Sequence, residues 1–273
     1  MDAELRGRNR VRSYRELVRF ALDQGLTPRL FRDYAANPIP ANVVLLRHDV
    51  DHSLDNAAML AEIDAALGVP STFFMLPPGD YRRSENYYGH IEQGRVRHAP
   101  GFFERCRKIA AMGHEIGIHN DFVQLSYLTR RTVAELLRDE IAAFADAGIF
   151  VRGTAAHGSR FARDHDLVNY EIFAGAAAGR KPVGRSVEQD GWSAILHQID
   201  AAGLGLTYEA YRVPRNIDFS DSGSTVRISS RKTRHAALDL LGEADYRPFG
   251  DVIAEALEPR LVMLIHPCWW TPV

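Results

Sequence analysis

The sequence predicts an α/β protein built on parallel strands, and three observations carry that expectation. Apolar runs of strand type alternate with segments of helical period along most of the 273 residues. The runs are continuous rather than alternating, which suits strands buried on both faces. Ionisable residues collect at the ends of those runs, the edge on which the loops of a parallel β/α fold converge.

The elements follow in order. Residues 13–24, SYRELVRFALDQ, set Leu17, Phe20 and Ala21 at helical spacing and read as an amphipathic helix. NPIPAN then leads into VVLLRH, a β-branched and leucine run of buried-strand type. SLDNAAMLAEIDAALG opens on cap-type residues and stops at Gly68, as a helix does. STFFML (71–76) is the second strand, followed by a polar, aromatic insertion over 77–99. PGFFERCRKIAAMG predicts a helix and HEIGIH (114–119) the third strand. TRRTVAELLRDEIAAFADAG carries a capping box, Thr132 with Glu135, and IFVRGTAAH (149–157) is strand-like. Beyond it we expect a helix near 192–202 and strands near 205–208 and 211–218. Helices near 235–242 and 250–257 follow, and RLVMLIH (260–266) is the last strand. No repeat or long linker interrupts the chain. The expectation is a single domain over 1–273, with 1–40 an N-terminal helical extension and 77–99 lying over the site.

Composition narrows the function. With 46% hydrophobic residues, 25% charged and a formal net charge of −2, nothing favours nucleic acid or an anionic membrane. No apolar run reaches the roughly eighteen residues of a membrane span, and the N-terminus lacks a signal-peptide core, so a cytoplasmic location is expected. Cys106 and Cys268 are far apart and form no CxxC, which predicts no disulfide framework.

Asp49 and Asp51 close the first core strand, His119 the third, His157 a later one and His266 the last. Strand alternation puts Arg47, Asp49 and Asp51 on one face, with His48 and Val50 on the other. Two carboxylates on one face repel unless a cation or proton intervenes. With an imidazole near, they suit a divalent metal of zinc type, with cobalt, nickel or manganese as alternatives. The second carboxylate could then take a proton from water acidified by the metal. His266 precedes PCWW, an aromatic wall suited to a pocket. DFSDSG (218–223) follows another strand, and Asp221 could orient His266, although an ordinary turn reads equally well. His90, His98, His165, His197 and His235 lie in polar or helical contexts and read as surface residues.

RHDVD (47–51), GHEIGIH (113–119) and VMLIHP (262–267) resemble, in order, three motifs of the polysaccharide deacetylase superfamily, the NodB-homology group of carbohydrate esterases. The resemblance runs from residue 43 to 270. It implies a distorted (β/α)7 barrel and metal-assisted hydrolysis of an N-acyl group on a sugar. By the same resemblance Asp49 would be the catalytic base, Asp51 and His119 metal ligands, and His266 the acid that protonates the leaving amine. The family's further metal histidine falls at Val123, which cannot bind a metal, so the third ligand would be Asp121, His157 or His52, with His157 preferred for its strand end. Val50 separates carboxylates that the family keeps adjacent, so Asp49 and Asp51 could exchange roles. HGSRF (157–161) corresponds to the family's arginine-bearing third motif, and Arg160 would orient the base.

The expected substrate is a small carbohydrate, an amino sugar linked to a nucleotide or lipid during surface-polysaccharide (O-antigen) assembly. Tyr and Arg of the insertion would stack on the sugar and pair with its anionic group. Two other readings stand beside this one. Val123 favours a metal-independent C–N amide hydrolase or deformylase of the same superfamily. A catalytically inactive carbohydrate-binding protein is the third, and the joint presence of Asp49, Asp51, His119 and His266 argues against it.

Overall fold

The computed structural model describes residues 9–38, 41–79, 88–176, 179, 181–222, 226–230, 236–237 and 246–271. It is mixed α/β, and the chain divides into two compact units. The first comprises 1–73, 108–115 and 213–273, and the second 74–107 and 116–212.

In the first unit the strand Val43–Val50 is buried at every residue, as its unbroken apolar run requires. The strand Arg260–Ile265 pairs with it in parallel, from Arg260 opposite Val43 to Ile265 opposite His48. Ile217–Ser220 lies parallel to Leu261–Leu264, and Arg227–Ser230 returns antiparallel to it. Thr27–Arg29 adds in parallel to Val43–Leu45. The helix Val11–Asp23 buries Tyr14, Leu17, Val18 and Ala21 in a core shared with Phe249, Val252 and Ile253 of the helix Arg247–Ala254. At roughly 1.5–3 kcal/mol for each large apolar side chain, this burial dominates the unit's stability. The helix Leu54–Ala66 ends two residues before Gly68, whose φ of +70° favours glycine.

In the second unit Ile118–Asn120 pair in parallel with Thr154–Ala156, and Gly153–Thr154 with the strand Tyr208–Glu209. Two glycines make this sheet possible. A Cβ on Gly117 would stand 2.6 Å from the Phe74 ring, and one on Gly153 would stand 2.1 Å from the Tyr208 ring. The helices Phe122–Thr129 and Val133–Asp146 follow, the second opened by the expected Thr132–Glu135 capping box.

Several expectations need correction. Residues 192–202 are not helical. Trp192–Ile195 pairs antiparallel with Ser186–Gln189, and Ala202–Leu204 is a short 3₁₀ turn. Asp190 and Gly191, both at positive φ, form the two-residue turn that a DG pair favours in hairpins. The strand expected over 211–218 begins only at Ile217, because Ala210–Arg212 is a 3₁₀ turn. Of the expected helix over 235–242, Ala236–Ala237 pair as strand with Arg227–Ile228, and the rest lies outside the described residues. The helix Phe122–Thr129 was not expected at all.

Both cysteines are free and buried. Among the described residues, no helix is long and apolar enough to cross a membrane.

Candidate functional site

In the first unit, strand register assembles one set of polar groups. Beyond the His48–Ile265 pair, the next residues on the two parallel strands are Asp49 and His266. Ser220 pairs with Leu264, so Asp221 leaves the neighbouring strand at the same edge. Asp49 receives Nε and an Nη of Arg47 on its two oxygens, each at 2.7 Å, and both side chains are 2% exposed. This is the paired-fork geometry of a strong, charge-assisted contact.

His266 and Asp221 form the second pair. Nδ1 lies 2.6 Å from Asp221 Oδ1, and the His266 backbone N–H donates to both oxygens at 3.1 and 2.9 Å. The indole N–H of Trp270 donates to Oδ2 at 2.9 Å. Burial works against a charged imidazole here, but Asp221 outweighs it, Asp51 and Asp49 add to the effect, and His266 is pushed up to about 9. His266 is therefore a cation at neutral pH, with a proton to give.

In the second unit, His119 and His157 close neighbouring strands, His157 N–H donating to Asn120 O at 2.9 Å. Their rings meet edge to face, with centroids 4.8 Å apart. His119 Nδ1 lies 2.8 Å from Ala155 O, so that nitrogen carries the proton and the lone pair is on Nε2. His157 Nδ1 donates to Asp121 Oδ2 at 3.1 Å. Buried Asp121 also accepts from Ser159 Oγ at 3.2 Å and Asn169 Nδ2 at 2.8 Å. Asp121, weighed in the sequence as a third ligand, is thus the group that orients His157.

Asp51 directly follows the first core strand and is partly buried. Within the second unit His119 and His157 offer two ring nitrogens of the kind that hold a metal ion.

Other expected site residues behave differently. Arg160 is corrected: its side chain is 88% exposed and pairs with Asp164 at 3.3 Å, while Arg47 makes the contact expected of it on Asp49. Val123 is fully buried in the helix Phe122–Thr129. Tyr88, expected to face a sugar, instead packs in an aromatic cluster with Phe102 and Phe144, and residues 80–87 lie outside the described part. His197 is buried, and half-buried His98 contacts Glu140, so neither is a surface residue.

Sequence reasoning missed Arg47 as a partner, although the alternation placing it on the face of Asp49 was signal enough. Ser159 and Asn169 carried no local signal, because their roles depend on which strand ends become neighbours, and Trp270 was read as part of an aromatic wall rather than as a donor to Asp221. A cavity of about 300 Å³ in the second unit, lined by Arg131, Trp192 and Ile195 among others, involves none of the expected site residues.

No family model matches the chain, and comparison with curated proteins and with solved structures finds no match.

Proposed function

We propose that the protein is a metal-dependent hydrolase that removes an N-acyl group, acetyl in the simplest case, from an amino sugar. The sugar would be carried on a nucleotide or lipid intermediate of surface-polysaccharide (O-antigen) assembly, and the scaffold would be a distorted (β/α)7 barrel. One observation carries the reading. His119 and His157 each commit Nδ1–H to an oxygen acceptor, Ala155 O and the Asp121 carboxylate, so that Nε2 is the nitrogen each can give to a metal. The carboxylate of Asp51 would complete the mixed nitrogen and oxygen set that zinc accepts.

In this reading Asp51, His119 and His157 would hold one divalent ion, zinc in the first instance. Such an ion supplies Lewis acidity, polarising an acyl carbonyl and lowering the pKa of nearby water to roughly 7. Asp49, held by Arg47, takes the proton of the attacking water as its oxygen bonds to the acyl carbon. His266, charged through Asp221, gives its proton to the nitrogen as the C–N bond breaks, and the products are a carboxylate and a free amine.

The test is acetate release from N-acetylated amino sugars in free, nucleotide-linked and lipid-linked form, with zinc, cobalt, nickel or manganese added. Release abolished by Asp49→Asn supports the reading, and no release from any substrate under any metal sinks it. Val123 favours the second reading, a metal-independent amide hydrolase of the same superfamily. Turnover that persists after complete chelation would select it.

A further inference from the structure

We propose that Asp64 is a positioning residue that fixes both the base and the acid of this reading, Asp49 and His266, from beneath the sheet of the first unit. The inference rests on the hydrolase reading for its catalytic meaning. Its geometry stands independently of it.

Asp64 lies on the helix Leu54–Ala66 with no exposed surface. Three side chains converge on its carboxylate. Tyr14 OH donates to Oδ1 at 2.6 Å, while Ser71 Oγ and His48 Nε2 reach Oδ2, each at 2.8 Å. The network extends to His114, whose Nδ1 is 2.9 Å from Ser71 Oγ and whose Nε2 lies 2.9 Å from Ala61 O. Every member is buried. Desolvating this many polar groups is expensive, and an apolar cluster of equal volume would serve packing alone at lower cost.

Two arms lead from Asp64. The first is His48. Among the described residues its Nδ1 is buried without a hydrogen-bond partner, so Nε2 is the ring nitrogen whose N–H finds an acceptor. That proton goes to Asp64, and the ring is clamped flat on Phe73 with centroids 4.2 Å apart. His48 stands between Arg47 and Asp49 on the strand, so holding its ring on one face fixes the backbone that aims the Arg47–Asp49 pair from the other.

The second arm is Tyr14. Its hydroxyl is tied to Asp64, and its ring meets Trp270 edge to face with centroids 5.3 Å apart. Trp270 donates to Asp221 Oδ2, and Asp221 Oδ1 holds His266 Nδ1. Four consecutive contacts therefore run from Asp64 to the proposed acid.

The experiment compares the full chain with its Asp64→Asn and Tyr14→Phe variants, reading hydrogen exchange of the Trp270 indole N–H and the His266 Nδ1–H by NMR. Where the acetate-release assay gives turnover, kcat and KM are measured on the same substrate. We expect exchange at both positions to quicken by about tenfold or more in each variant. We also expect kcat to fall by about tenfold or more with KM little changed, because misplacement costs the chemical step rather than binding. Exchange within about twofold of the parent at both positions, in variants that melt like the parent, overturns the proposal. Should Asp64→Asn fail to fold, Tyr14→Phe decides, since it removes one hydroxyl and keeps the ring. The exchange measurement needs no turnover, so failure of the hydrolase reading and failure of this inference remain distinguishable.

Discussion

Asp221 accepts from His266 twice, at the ring Nδ1 and at the backbone N–H, so one carboxylate fixes both the orientation and the charge of that imidazole. The consequence is a stability that depends on pH. Held near 9 against an ordinary 6.5, His266 binds its proton more tightly in the folded chain than in the unfolded one. The stabilisation is therefore fully present below about pH 6.5 and is lost as pH rises through about 9. Urea denaturation of the metal-free protein should show this decline, worth roughly 3 kcal/mol across the window. Asp221→Asn should remove the His266 share of the decline and leave the part that Glu140 contributes below about pH 8. A parent protein equally stable at both ends of the window would refute the pairing.

The second prediction concerns Asp121. It orients His157 without being one of the proposed ligands, so Asp121→Asn should weaken metal binding by about 10–100-fold rather than abolish it. His119→Ala should abolish it. Competition against a chromophoric chelator separates these outcomes, and an Asp121→Asn affinity equal to that of the parent would remove the residue from the site.

These predictions show which parts of the site were legible in the sequence. Strand ends were: a continuous apolar run closing on Asp49, His119 or His266 announces both a buried strand and a polar tip. The Thr132–Glu135 box was legible because a helix N-terminus is satisfied locally. Asp64, Ser71, His114 and Trp270 were not, because each finds its partners at separations of between 7 and 53 positions that only the folded sheet and helices bring together. The hairpin over 186–195 was missed for another reason. Its Asp190–Gly191 pair is a hairpin signal, but residues 192–202 were read as helical where Trp192–Ile195 has the strand's period of two.

Arg47 and Asp49 provide the third prediction. Both are buried, so removing the guanidinium alone takes the bidentate donor from a carboxylate in the core. Arg47→Met should cost about 3–5 kcal/mol by chemical denaturation. Combining it with Asp49→Leu should recover much of that loss, since a shape-matched apolar pair is often as stable as a buried ion pair. A double variant no more stable than Arg47→Met would show that the loss comes from packing around Arg47 rather than from the carboxylate deprived of it.

The last prediction lies in the second unit, where Glu140 Oε1 accepts from the Tyr88 hydroxyl and lies 2.9 Å from His98 Nε2. The contact has the geometry of an ion pair, yet burial pushes Glu140 up to about 8 and His98 down to about 4. At neutral pH the pair is a carboxylic acid against a neutral imidazole. The two shifts act in different windows. Glu140 holds its proton more tightly when folded, so its contribution is complete below 4.5 and is lost as pH rises through about 8. His98 resists protonation when folded, so its contribution is complete above 6.5 and is lost as pH falls through about 4. Above pH 6.5 only Glu140 of this pair titrates, and His266 adds an equal slope to parent and variant alike. Glu140→Gln keeps the shape and removes the titration. Subtracting its denaturation midpoints from those of the parent should give a difference that grows in favour of the variant from about pH 6.5 to about pH 9. A difference that is constant over that interval would mean that Glu140 is already ionised at neutral pH and that its contact with His98 is a true ion pair.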